Sequence, residues 1–285
     1  MNSNNYFEPL ISIVCNIYNG EEFISNCINS VLRQTYKKWE IIIWNNCSTD
    51  NTEEEIFKFK DKRIKYFKST INTNLSTARN LAISKCKSDY VAFIDIDDFW
   101  KNTKLENQVK IIKKNPKLSF VFTKTKVINK KRNKESFLTK LLIKKLKNYN
   151  MLFIQNYIYF SSVIINRSLL NIFFDSQLDQ AEDYDILLRL AKNGKFYEIK
   201  KELTFYLVHE RNLSNIQFSK NFTESIYILR KHCKDIKYAN LGLSINHLLL
   251  TKIYFRKFSL IMCITNLFLS AKLFFNFLFF NANSN

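Results

Sequence analysis

Glycine and proline are nearly absent from this chain: its 285 residues include 3 Gly and 2 Pro. That leaves no material for a glycine-rich dinucleotide loop or for Pro/Gly linkers between domains. Histidine is as scarce, at 3 residues, and none of the cysteines (Cys15, Cys27, Cys47, Cys86, Cys233, Cys263) stands in CxxC spacing, which argues against a zinc site. Acidic residues are also in short supply, 25 Asp plus Glu against 44 Lys plus Arg, for a net charge of +19. Such a charge favours an anionic partner, whether nucleic acid, an anionic membrane or a phosphorylated substrate, without choosing among them. The opening run MNSNNYFEPL has neither the basic nor the apolar region of a secretory signal. Cys15, Cys27 and Cys263 fall in apolar runs, as buried free thiols do, so a reducing cytosol is the expected compartment.

What the chain does have is hydrophobic residues, 46% of the total, enough for a substantial core. Ile11 to Asn16, Glu40 to Trp44, Ile64 to Phe67 and Tyr90 to Ile94 read as strands. Between them, Glu21 to Gln34, Asn51 to Phe59 and Ser76 to Lys85 carry helical periodicity. Strands apolar throughout and separated by helices imply an α/β fold with a mainly parallel central sheet covered on both faces. Ligands of such sheets bind beyond the carboxyl ends of the strands. Polar clusters fall there at Asn16 to Asn19, Asn45 to Asp50, Asn72 to Asn80 and Asp95 to Asp98, and they are expected to converge on one edge.

Further along, Lys124 to Lys147 is crowded with Lys and Arg; a solvated loop and helix is the expectation, contact with an anionic lipid or phosphate the functional alternative. Tyr157 to Ile165 and Phe196 to Ile199 read as strands, and Asp183 to Asn193 as a helix closed by Gly194. The tail, Leu248 to Phe280, is apolar and aromatic, and Lys272 is the one formal charge from Leu260 to Phe280. A membrane span needs about 20 mostly apolar residues. Thr265, Asn266, Ser270, Lys272 and Asn276 interrupt the run, and Arg256 and Lys257 precede it, so a packed or interfacial helix is favoured over a span.

Directly after the fourth strand comes DIDD, with Asp95, Asp97 and Asp98 within four residues. Like charges this close raise one another's pKa, and a divalent cation relieves the repulsion. Mg²⁺ and Mn²⁺ prefer oxygen ligands and commonly share them with substrate phosphates. The alternative is a solvated acidic turn, out of keeping with so basic a chain.

Taken together, SIVCNIYN (12–19), SVLRQTYKKWEIIIW (30–44), NNCSTDNT (45–52), STARNLAISKCKSDYVAFIDIDDFW (76–100), AEDYDILLRLAKNGKF (181–196) and HERNLS (209–214) resemble the family 2 glycosyltransferases of GT-A fold. The resemblance implies a three-layer α/β/α sandwich over 1–215, with a nucleotide-sugar half over 1–100 and an acceptor half over 101–215. A helical, apolar extension over 216–285 would follow. It implies inverting transfer of a sugar from a nucleoside diphosphate sugar, UDP-linked by preference, to a saccharide or lipid-linked acceptor in surface polysaccharide or lipopolysaccharide synthesis. The enzyme would work in the cytoplasm at the inner face of the membrane, with Mn²⁺ or Mg²⁺ and without nucleic acid. Tyr18, Asn19, Asn45, Asn46, Ser48, Asp50, Arg79, Asp95 and Asp97 map to the donor site, with Asn80 in the same flanking segment. Asp97 and Asp98, with the late His209, map to the metal, and Asp183 of the Glu182–Asp183 pair maps to the catalytic base. Read without the family, Glu182 and Asp183 equally suit a helix start, Arg79 equally suits pairing with an acidic loop residue, and His209 a structural role.

The chain departs from the family pattern at Asn45, where Asp usually reads the nucleobase, at Leu75 in place of a common Gly, and at Leu207 in place of an Arg. An Asn carbonyl can still accept a hydrogen bond from a uracil N–H. A nucleotidyltransferase is disfavoured because NIYNG after the first strand supplies no glycine-rich phosphate loop. A nucleic-acid module is disfavoured because the basic stretch is poor in aromatics. A non-catalytic scaffold gains weight from Asn45 and loses it from Asp97, Asp98 and Asp183.

Overall fold

The structure is a computed structural model and describes residues 8–128, 148–169, 173–212, 218–232, 237–256 and 259–278. The chain forms two compact units: Met1–Lys130, Ile158–Asp179 and Leu190–Val208 make the first, and Lys131–Tyr157, Gln180–Arg189 and His209–Asn285 the second. The chain thus interleaves its units.

The first unit holds an eight-stranded sheet. Its elements in chain order are β1 (Ile11–Ile17), α1 (Ile24–Leu32), β2 (Trp39–Asn45), α2 (Thr52–Phe57), β3 (Ile64–Lys68), α3 (Leu75–Ser84), β4 (Tyr90–Phe93), β5 (Phe99–Trp100), α4 (Lys104–Lys114) and β6 (Leu118–Ile128), then β7 (Ile164–Asn166) and β8 (Lys195–Leu207). The strand order is β3-β2-β1-β4-β7-β6-β8-β5. β3, β2, β1 and β4 run parallel, as do β6 and β8, while β7 pairs antiparallel with both β4 and β6, and β5 antiparallel with β8.

Each central strand is apolar on both sides because each side is covered. Ile11, Ile13, Cys15 and Ile17 of β1 pack with Ile24, Cys27, Ile28 and Val31 of α1 and with Leu105, Val109 and Ile112 of α4. The alternate residues Val14 and Ile42 are buried as well, and α3, with buried Ala78 and Ala82, lies against β1 and β2. This is the helix–sheet–helix layering expected from the alternating pattern.

Where the structure departs from expectation, the cause is local. The expected strand Tyr157–Ile165 is a 3₁₀ turn at Phe160–Ser162 followed by the short β7. The expected short strand at 196–199 extends to thirteen residues in β8. Lys124 and Lys126, read as the start of a basic loop, belong to β6, which buries Phe120 to Thr123 and leaves the Lys124 end wetter. The rest of that basic stretch, 129–147, lies outside the described residues, as does Cys233. All five described cysteines are free thiols.

The second unit contains α5 (Asn148–Leu152), the first residues of α6 (Glu182–Asn193), α7 (Phe218–His232), α8 (Lys237–Arg256) and α9 (Leu260–Leu278). Ile186, Leu187, Leu190 and Ala191 of α6 are buried, as its periodicity requires. Gly242 lets α8 approach the α5 segment closely: a Cβ there would stand 2.6 Å from the Phe153 carbonyl oxygen and 2.7 Å from that of Ile154. α9 meets the length and composition of a membrane-crossing helix.

Candidate active site

Four parallel strands ending in the same direction bring their polar loops to one edge, and hydrogen bonds lock those loops together. Asn19, at a left-handed φ of 52°, donates its amide N–H to Ser48 Oγ (3.0 Å), while its Oδ1 accepts from the Thr49 amide (2.8 Å). The Gly20 amide donates to Thr52 Oγ1 (2.9 Å) and the Glu21 amide to Asp50 Oδ2 (3.1 Å). Burial alone would raise the Asp50 carboxyl; the Thr52 side chain and the Glu21 and Thr52 amides outweigh it and hold the carboxyl below its usual range. Tyr18, just before, is 53% exposed and presents its ring to solvent.

Asn45 is fully buried. Its Oδ1 accepts from the Ser48 amide (2.8 Å) and its Nδ2 donates to Tyr66 Oη (2.9 Å). Asn46 ties the next loop, its Nδ2 donating to the Thr73 carbonyl (2.7 Å) and its Oδ1 accepting from Thr73 Oγ1 (3.0 Å). Asn74 then caps α3, its Oδ1 accepting from the Thr77 amide (3.0 Å). Leu75 is the first helical residue, and the described left-handed non-glycine residues are Asn19 and Cys47, so a leucine sits at 75 without strain.

Beyond β4, the Asp98 amide closes a tight turn onto the Asp95 carbonyl (3.0 Å). Asp95 is half-exposed and receives Arg79 Nη2 at 3.0 Å. Arg79 is itself buried, its guanidinium over the rings of Phe160 (4.9 Å) and Phe174 (5.5 Å). Arg79 thus pairs with an acidic loop residue. Ser161 holds the same turn, accepting from the Asp95 amide (3.0 Å) and donating to Asp95 Oδ2 (3.3 Å). The neighbouring Asn80 fastens Phe174 by its backbone, at 2.9 Å in each direction.

Asp98 is 1% exposed. Its Oδ1 accepts from the Leu207 amide (3.3 Å), and its Oδ2 is buried without a hydrogen-bond partner. Burial, then the charges of Asp95 and Asp97, push its carboxyl well above the usual range, against the pull of the Leu207 amide. Leu207, at the position of the expected Arg, serves the turn through its backbone.

Two expected residues belong to the second unit. Asp183, in the first turn of α6, is half-buried and accepts from Asn156 Nδ2 at 3.3 and 3.4 Å. The His209 amide donates to Asn212 Oδ1 (2.6 Å), and its Nδ1 accepts from the Arg211 amide (3.2 Å), forming a compact turn.

Residues 12–173 match the family described as Glycosyl transferase family 2. The Escherichia coli protein WfgD, named as a UDP-Glc:alpha-D-GlcNAc-diphosphoundecaprenol beta-1,3-glucosyltransferase, is 34% identical over 190 residues, covering 67% of this chain and 73% of its own. The chain belongs to glycosyl transferase family 2. A second Escherichia coli glucosyltransferase with the same activity in its name, WfaP, is 32% identical over 219 residues, covering 76% of this glycosyltransferase and 84% of its own length. Among solved structures, Staphylococcus aureus TarS 1–349 in complex with UDP-GlcNAc superposes with a TM-score of 0.67 at 19% identity, over 84% of this chain and 72% of that one. The mannosyltransferase PcManGT from Pyrobaculum calidifontis, in complex with GDP-Man and Mn²⁺, gives 0.63 at 14% identity, over 96% of this chain and 88% of that one. These likenesses establish the GT-A fold.

The oxygen-rich turn suits a hard divalent cation, and the orphaned Asp98 Oδ2 is the kind of buried acceptor such an ion satisfies. Among the described residues no three His, Cys, Asp or Glu side chains are gathered as a complete cation site. Mg²⁺ and Mn²⁺ commonly take one or two carboxylates and complete their shell with waters and substrate phosphates, so the turn fits them as a partial site.

Several residues of this glycosyltransferase's site carry no sequence signal strong enough to find them. Ser161, Phe160 and Phe174 hold Asp95 and Arg79 from far along the chain, and Tyr66 and Thr73 secure Asn45 and Asn46. Asn16, in the polar NIYN run at the end of β1, has both amide atoms buried without a partner. An amide inside an otherwise apolar strand was the available clue, and it lay within the first polar cluster.

Proposed function

We propose that this enzyme transfers a sugar from a UDP-sugar, with inversion at the anomeric carbon, to a hydroxyl of a lipid-linked saccharide in the synthesis of a surface polysaccharide, at the cytoplasmic face of a membrane. The observation that carries the proposal is the interlocked loop edge, where the 18–19, 45–50 and 72–80 loops converge with the Asp95–Asp98 turn. The names of the relatives favour a UDP-linked donor and an undecaprenol-linked acceptor.

Tyr18, with its exposed ring, offers a stacking surface for the base. Asn19, Asn46, Ser48 and Asp50 set the shape of the loop that holds the nucleoside, and Asn45, buried beneath them, fixes that loop through Ser48 and Tyr66. Arg79 holds the Asp95 carboxylate in place through their ion pair. Asp97 and Asp98 would hold a Mn²⁺ or Mg²⁺ ion, and the family resemblance is what names His209 as a further candidate ligand. When bound, the ion neutralises charge developing on the departing diphosphate. Asp183 takes the acceptor hydroxyl's proton, and the Asn156 amide orients its carboxylate for that task.

The test is transfer of glucose from UDP-glucose to a GlcNAc-diphospho-lipid acceptor in the presence of Mn²⁺, followed by mass spectrometry. The native enzyme is expected to extend the acceptor by one hexose. Asp183→Asn is expected to lower kcat at least about a hundredfold, the usual contribution of a general base, with donor affinity kept. Failure of every UDP-sugar to bind or react would overturn the donor assignment.

A further inference from the structure

The second unit carries a helix whose polarity is inverted relative to that of a water-soluble bundle. The inner face of α9 is polar and hydrogen-bonded to α8: Asn266 Oδ1 meets His247 Nδ1 at 2.8 Å, Ser270 Oγ donates to the Ser244 carbonyl at 2.9 Å, and Cys263 Sγ donates to the Thr251 carbonyl at 3.5 Å. The outer face is apolar. Leu260, Ile264, Leu267, Phe268, Phe274 and Phe275 recur at helical spacing along the whole helix and are all exposed, Phe268 at 68%. Thr265, Lys272 and Asn276 are exposed too, but at spacings of seven and four they share a separate strip.

We infer that the outer face of α9 docks the protein on an anionic bilayer, with the helix lying in the plane of the interface. Three observations select that occupant and that pose. A contiguous apolar stripe this long is exceptional on a free surface in water. From residue 237 to 285 the chain carries Lys237, Lys252, Arg256, Lys257 and Lys272 and no Asp or Glu, so the region bearing the stripe matches an anionic surface in charge. Gathering Lys272 with Thr265 and Asn276 on one strip suits a helix with one side in lipid and one in water, whereas a spanning helix would carry that strip through hydrocarbon. The lysine stem reaches along the apolar surface and keeps its ammonium among the headgroups. α9 has the length to span, so its side-chain distribution decides the pose.

The inference rests on the second unit alone and is independent of the donor assignment. It is tested by co-sedimentation of the full chain with vesicles of phosphatidylcholine, with and without phosphatidylglycerol. The native protein is expected to bind the anionic vesicles and to be released by an alkaline wash. Leu267→Glu/Phe275→Glu is expected to bind at least about tenfold more weakly while melting at the native temperature, since both side chains are already exposed. Thr265→Gln/Asn276→Gln, on the polar strip, is expected to bind as the native protein does. Equal loss in both double variants, or no native binding, would overturn the proposal. So would resistance to the alkaline wash, which marks a span, or a native dimer dissolved by Leu267→Glu/Phe275→Glu, which marks a second copy as the occupant.

Discussion

At the scale of single residues, function and stability pull apart in the acidic turn. The Asp98 carboxylate is buried, repelled by Asp95 and Asp97, and left with one oxygen unpartnered, so its charge costs folding energy in the free protein. Asp98→Asn removes the charge and keeps the shape. Calorimetry is expected to show a melting temperature equal to or above the native one, while glycosyl transfer falls at least about a hundredfold, the scale of losing one preorganised electrostatic contact. Arg79 has the opposite character. Its planar guanidinium lies over the Phe160 and Phe174 rings and reaches Asp95. Arg79→Lys keeps the charge and loses the planar contact, so urea denaturation is expected to report a loss of about 1–2 kcal/mol together with weaker donor binding. The three aspartates and Arg79 were legible as a cluster because they are adjacent in sequence or carried by a recognisable segment. Their supports were not: Ser161 and Phe174 lie some 66 to 95 positions away, and a Ser or a Phe alone signals nothing about the loop it will meet.

Secondary-structure elements were legible in proportion to how fully they are buried. β1, β2 and β4 are apolar on both faces, and their boundaries agree with the sequence reading to within one or two residues. β6 escaped because its second half alternates Thr and Lys, a pattern shared by wet loops and half-exposed strands, and β7 reads too long because a 3₁₀ turn precedes its three residues. The entry to β3 is set by electrostatics instead: Asp61 takes Arg63 Nη2 at 2.7 Å while the Arg63 guanidinium lies 3.7 Å over the Trp39 ring. Hydrogen bonds from the Arg63 side chain, then from its backbone amide, carry the Asp61 carboxyl down to about 2 against opposing burial. A depressed folded pKa adds stability above the unfolded value near 4 that is lost as pH falls toward 2. Asp61→Asn is therefore expected to lower stability by about 1 kcal/mol at neutral pH, with the gap to native closing between about pH 4 and pH 2 in acid-titrated unfolding. In the second unit, Gly242→Ala would drive a methyl into the Phe153 and Ile154 carbonyls. A loss of about 1–3 kcal/mol is the expected size of such overpacking, read by denaturation.

At the scale of the molecule, the alternating strand–helix pattern and the convergence of polar loops on one edge followed from sequence, because a parallel sheet allows few other arrangements. The interleaving of two units did not, since it depends on residues such as Gln180–Arg189 and Leu190–Val208 returning to different partners. The inverted polarity of α9 was hidden for a related reason: a stripe of Leu and Phe looks the same whether it faces a core or a bilayer. Five positive charges of this basic chain fall in 237–285, which contributes only cations. The central claim is that the Asp95–Asp98 turn grips the donor diphosphate through a divalent cation, and its most direct test is titration calorimetry of UDP-sugar with and without Mn²⁺. The account predicts binding that strengthens at least about tenfold with Mn²⁺ in the native enzyme and shows no such gain in Asp97→Asn/Asp98→Asn. Binding of equal strength with and without the cation, or an undiminished cation effect in the double variant, would contradict it.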